Sequence, residues 1–158
     1  MMIHITIYEL PYEPALAAYW PSHICDYNQV EEISESLEHE YDAYDLYLPM
    51  TEFFERIALS STNTSLDHLG LVEHDQFESV LRVLDSVNPI PTPQEPSMIS
   101  CYSNTELPAM ISSLLEVNIS LVESECQEGV KKCLTAMIGF LTMCHMSNHT
   151  AAVCSTTY

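Results

Sequence analysis

Positive charge is what this sequence has least of. Arg56, Arg82, Lys131 and Lys132 are its only Lys or Arg residues, they face 23 Asp and Glu, and the formal net charge is −19 with histidine neutral. Gripping a nucleic-acid backbone takes clustered cations that displace counterions from phosphates. The composition therefore excludes direct binding to DNA or RNA and, by the same repulsion, to an anionic membrane. Glycine is nearly as scarce. With only Gly70, Gly129 and Gly139 there is no glycine-rich phosphate loop, and neither Gly-x-Ser-x-Gly nor His-Glu-x-x-His occurs. No cofactor and no catalytic residue is expected on these grounds. Long apolar runs are missing as well. The longest, Leu134 to Cys144, is broken by Thr135, Gly139 and Thr142 and falls short of the roughly 20 residues a membrane span needs. Residues 1–12 have no basic stretch followed by an apolar one, so no secretory signal is read and a cytoplasmic protein is expected.

What is present suffices for a core. The chain has 158 residues of which 47% are apolar, which suits one domain spanning 1–158. Six cysteines and Asn-x-Ser/Thr triplets at Asn63, Asn118 and Asn148 would suit a secreted disulfide protein. The N-terminus argues otherwise, so the thiols are read as reduced.

Periodicity gives the elements. Ile3, Ile5 and Ile7 alternate with His4, Thr6 and Tyr8, the pattern of a half-buried strand, and Pro11 and Pro14 bar its extension. Val30, Ile33, Leu37, Tyr41, Tyr44 and Leu48 lie on one side of a helix from Gln29 to about Leu48, which Pro49 ends. A short helix around Glu52 to Leu59 and a polar loop from Ser60 to Ser65 follow. Asp75 opens a helix that buries Phe77, Val80, Leu81 and Leu84 and pairs Glu78 with Arg82. Four prolines between Asn88 and Pro96 make an extended linker, a candidate subdomain boundary at 88–96. Met98 to Tyr102 suits a short strand. Asn104 or Thr105 caps a helix through Leu107, Ile111, Leu114 and Leu115. Ser120 and Glu123 form a capping box for a last helix whose stripe is Val122, Cys126, Val130, Cys133, Met137, Phe140 and Cys144. The tail from Thr150 suits a closing strand. The expected fold is α+β: a mainly helical single domain with a small sheet formed by the N-terminal strand and the C-terminal tail.

The strongest functional signal lies in the helix from Gln29. Glu31, Glu35, Glu38, Asp42 and Asp45 recur at i, i+4, i+7, i+11 and i+14, one row beside the apolar stripe. Between Asp26 and Glu55 there are ten acidic residues and no Lys or Arg. The row spans about 21 Å with a carboxylate about every 5 Å, comparable with the phosphate spacing of about 3.4 Å along one DNA strand. Like charges at i, i+4 destabilise a helix by about 0.2–0.5 kcal/mol per pair, and interspersed lysines would relieve this. A solvated face on an acidic protein explains the row. So does a docking face for a basic groove, with Tyr27 and Tyr47 as aromatic anchors. A salt-adapted surface fits less well with Glu in excess of Asp and with the Cys and Met content.

Other constellations are weaker. Cys144, His145, His149 and Cys154 are close enough in sequence to suggest a zinc site, yet no Cys-x-x-Cys occurs and Cys144 falls on the apolar stripe. His4-Ile5-Thr6-Ile7 matches one half of the paired His-x-Thr-x motif of two-histidine phosphoesterases, without a second half in a strand. His74-Asp75 resembles a phosphohydrolase metal pair, although Asp75 already serves as a cap.

From Leu71 to Val153, the helix with Phe77, Val80, Leu81 and Leu84, the long final helix, the turn Ser147-Asn148-His149 and the strand Ala151 to Cys154 together resemble the YfbM-like family of small bacterial proteins of unknown function. The resemblance implies a small α+β bacterial or phage protein and brings no functional residues. Charge and pattern together give the expectation of a non-enzymatic protein that binds and blocks a basic partner, a nuclease or another nucleic-acid-handling complex. Phage anti-CRISPR and anti-restriction inhibitors that mimic DNA, and immunity proteins against nuclease toxins, are of this type. A small metal protein or enzyme using the His/Cys cluster, and a structural or oligomer-forming subunit such as a homodimer, are the competing classes.

Overall fold

The computed structural model describes residues 2–11, 54–55, 58–73, 80 and 98–157. Within these, strand β1 (Met2–Leu10) pairs antiparallel on one side with β2 (Ser60–Asp67) and on the other with β4 (Thr150–Thr157), which pairs antiparallel with β3 (Met98–Tyr102). The spatial order is β2-β1-β4-β3. Helix α1 (Leu107–Leu115) packs beside helix α2 (Gln127–Met146), and α2 lies chiefly over β2, with lesser contact to β1 and β4.

The hydrophobic alternation of β1 does what period two requires. Ile3, Ile5 and Ile7 are fully buried among Leu66, Val130, Cys133, Leu134, Met137, Leu141 and Val153, while His4 stays exposed. Each such isoleucine contributes about 1.5–3 kcal/mol by leaving water. From Tyr8 to Leu10 burial extends to both faces of the strand. On the face away from the helices Tyr8 packs against Phe54, ring centroids 5.9 Å apart, and Ala152 stands opposite it.

The expectation of a mainly helical fold is overturned. Strands of nine, eight, five and eight residues stand against α-helices of nine and twenty. The sheet is not confined to the N-terminal strand and the tail. The segment read as a polar loop, Ser60 to Ser65, is most of β2. Its register sets Thr62, Thr64 and Leu66 beside Ile7, Ile5 and Ile3. Hydroxyl side chains hide the alternation from a hydrophobicity reading, yet β-branched threonine suits a pleated surface. Met98–Tyr102 is a strand, as its composition suggested.

Two helix starts shift. Helix α1 begins after Glu106, with proline in its first turn, and Asn104 is not its cap. The Asn104 amide instead donates to the carbonyls of His145 and His149, each at 3.0 Å. Helix α2 begins at Gln127, so Ser120 and Glu123 form no capping box. Ser120 lies in a 3₁₀ turn, Ile119–Leu121, and donates to Asn118 Oδ1. The buried stripe of α2 is Val130, Cys133, Leu134, Met137, Leu141 and Cys144, with Phe140 and Cys126 only partly buried. Phe54 and Glu55 are helical, and Ala58 donates to the Phe54 carbonyl at 2.8 Å, but Leu59 is not helical: its amide bonds the Glu9 carbonyl. Val80 is helical and fully buried. The helix expected at 29–48, the other residues expected in the helix from Asp75, and the linker 88–96 lie outside the described residues.

Candidate functional site

Glu31, Glu35, Glu38, Asp42, Asp45, Tyr27 and Tyr47 lie outside the described residues. Two polar groupings fall inside them, and neither was anticipated.

The first is centred on Glu9. Alternation places this residue on the same face as Ile3, Ile5 and Ile7, so its carboxylate is buried at the end of the core, 7% exposed. Two other segments converge on it. The Ser60 hydroxyl at the start of β2 donates to Oε1 at 2.8 Å, and His149 Nδ1, in the turn between α2 and β4, lies 2.8 Å from Oε2. Two hydrogen bonds to the carboxylate offset the cost of burying it. Between two described residues it is the one contact of a basic side chain with a carboxylate within 4.0 Å. The buried Cys144 thiol is pushed up to about 12, first by burial and then by the Glu9 charge. The turn is fixed by backbone geometry. His149 N–H bonds the Cys144 carbonyl and Asn148 N–H the His145 carbonyl, with Asn148 at φ 58°. These are the paired bonds of a Schellman helix end.

The second grouping is acidic. The loop after β2 docks on the loop before α2 through a bridge between Leu71 and Val122 and a 3.0 Å bond from Glu123 N–H to the Gly70 carbonyl. Gly70 is needed there, because a Cβ on it would lie 2.3 Å from the Cys126 Cβ. This approach brings Asp67, Glu123 and Glu125 around Cys126, whose thiol is raised by burial first and then by those three carboxylates. Lys131 and Lys132 are exposed and form no ion pair with a described carboxylate.

The structure does not assemble Cys144, His145, His149 and Cys154. Register puts Cys154 in line with Thr6, on the face away from the helices, whereas Cys144 is buried beneath α2 on the other face. His149 is engaged with Glu9, and His145 Nδ1 lies 3.2 Å from the Asn104 carbonyl. Among the described residues no group of three or more His, Cys, Asp or Glu could hold a metal ion. In the Glu9 grouping the Ser60 hydroxyl donates to the carboxylate and not to the His149 imidazole. His4 Nδ1 lies 3.0 Å from Ser65 Oγ on the exposed side of the sheet. A sequence reading missed Glu9, although a signal was there: continuing the period from Ile7 by two residues lands a carboxylate on the apolar face.

The described part is thus an α+β protein whose helices α1 and α2 pack on one face of an antiparallel sheet. No family model, curated protein or solved structure matches the chain. Among the described residues no helix is long and apolar enough to cross a membrane.

Proposed function

We propose that this chain is a non-enzymatic acidic protein that binds a basic, nucleic-acid-handling partner and occludes its phosphate-binding groove. The observation that carries the reading is the uncompensated anionic charge: ten acidic residues between Asp26 and Glu55 without one Lys or Arg, in a chain of net charge −19. Asp67, Glu123 and Glu125 support it, since carboxylates from separate segments all act on the Cys126 thiol and so add negative charge to one region of the described part. Glu31, Glu35, Glu38, Asp42 and Asp45 meet Lys and Arg that otherwise hold phosphates, with Tyr27 and Tyr47 at the margin. Complementary charge steers the encounter and raises the on-rate. Cys126, Cys133, Cys144 and Cys154 form no disulfide, in keeping with a cytoplasmic location in a bacterium or phage-infected cell. A phage inhibitor of host defence and an immunity protein against a nuclease toxin both fit. The resemblance to the YfbM-like family carries no functional residues and adds none here.

The test is capture of partners on the immobilised protein at low salt. Retention should fall steeply between about 50 and 200 mM salt, added duplex DNA should release the captured protein, and E35K/D42K should lose it. Binding that is flat with salt, or unmoved by both DNA and the double reversal, overturns the reading.

A further inference from the structure

The outer edge of β2 offers an interaction surface of a different kind. With the order β2-β1-β4-β3, β2 ends the sheet, and among the described residues nothing pairs with its far side. Sheet edges of this sort present a row of backbone donors and acceptors, and proteins ordinarily blunt them with lysine, proline, a bulge or a very short strand. Strand β2 has none of these. It runs for eight residues, Ser60 to Asp67, without Lys or Pro, and its register with β1 is unbroken from Met2 opposite Asp67 to Glu9 opposite Ser60. Ser60, Ser61 and Asn63 are exposed, and Thr62, Thr64 and Ser65 are half-buried.

We infer that this edge pairs with the same edge of a second copy, giving an antiparallel dimer that continues the sheet across a two-fold axis. Charge selects the occupant. Residues 57–66 carry no formal charge in a chain of −19, so two copies can pair here without setting carboxylates of the strand itself against each other. A cationic partner gains nothing from an uncharged strand, whereas a self-complementary strand needs only its own backbone. For the helices of both copies to share one side of the joined sheet, paired residues must have the same parity. Pairing centred on Asn63 satisfies this. It places Thr62 against Thr64 of the second copy and Ser61 against Ser65, cross-strand pairs that suit a sheet. The Asp67 residues, the first charges met, then lie about 27 Å apart, beyond the screening length of about 8 Å at physiological ionic strength.

Salt gives this contact a signature opposite to that of the proposed docking face. Screening weakens attraction to a basic partner but relieves repulsion between two anionic copies, so the dimer should tighten as salt rises. Sedimentation equilibrium across a concentration series at low and high salt reads this directly. The variant that tests the register is Asn63→Asp. Aspartate keeps the acceptor for the Thr6 hydroxyl, which donates to Asn63 Oδ1 at 2.6 Å, and sets two carboxylates face to face on the axis. It should weaken the dimer at least about tenfold, with partial recovery at high salt. Amide exchange of Ser60–Asp67 should slow with rising protein concentration in the original chain and not in the variant. A monomer at about 1 mM in high salt, an unaltered dimer in Asn63→Asp, or concentration-independent exchange of β2 overturns the inference. None of these outcomes bears on capture of a basic partner, so the two proposals fail separately.

Discussion

Single residues fix how the described loops close. Asn148 adopts φ 58° to end α2, a conformation that asparagine and glycine enter readily and other residues do not. Asn148→Ala should lower stability by about 1 kcal/mol in a denaturant titration, while Asn148→Gly should leave it nearly unchanged. Gly70 is held by space rather than by φ. A methyl group there would meet the Cys126 Cβ at 2.3 Å, and neither atom is the end of a flexible side chain. Gly70→Ala should cost about 1–3 kcal/mol. Pairing it with Cys126→Gly should return part of that loss and pairing it with Cys126→Ala should not, because only the former removes the Cβ. Equal melting temperatures for the two double variants would show that the loops move apart freely. Neither requirement is visible in the sequence, where Gly70 and Cys126 are more than fifty positions apart.

At the scale of elements, Glu9 ties the end of β1 to the start of β2 and to the turn that launches β4. Glu9→Ala removes the acceptor of Ser60 and of His149 together, and should cost about 1–3 kcal/mol by thermal unfolding, with faster amide exchange in the turn at 147–149 than elsewhere. Uniform acceleration would mean that the tie is not local. The elements differ in how plainly the sequence announces them. The strand with Ile3, Ile5 and Ile7 and the long last helix were legible because each buries a periodic apolar face. Strand β2 was not, since Ser60, Thr62 and Thr64 occupy all its core-facing positions but Leu66, and its alternation is one of position rather than polarity. The helix starts at Leu107 and Gln127 were misplaced because Asn104 and Ser120 spend their side chains on other partners: the α2–β4 turn in one case and Asn118 in the other.

For the whole molecule, buried acids set the response to alkali. Burial raises the thiols of Cys144, to about 12, and Cys133, and it also raises the Tyr8 phenol, where Cys154 and Glu55 add to the shift. Each group is neutral when folded and ionises more readily once unfolded, so the stability it supplies is intact below its ordinary value and is lost above it; for Cys144 the loss runs as pH climbs from about 9 toward 12. Unfolding free energy should decline over that window, and Cys144→Ala should flatten the decline; an unchanged slope would assign the effect to other groups. By itself, the sequence determined the sign and density of charge, the absence of any recognised cofactor loop, and which long segments bury an apolar side, because these follow from composition and local period. Tertiary structure alone decided that a serine- and threonine-rich stretch is a sheet edge, that Glu9 meets His149 across 140 positions, and that the C-terminal His and Cys residues do not converge. Those outcomes depend on strand register and on which face each side chain takes, and pairing between distant segments sets both.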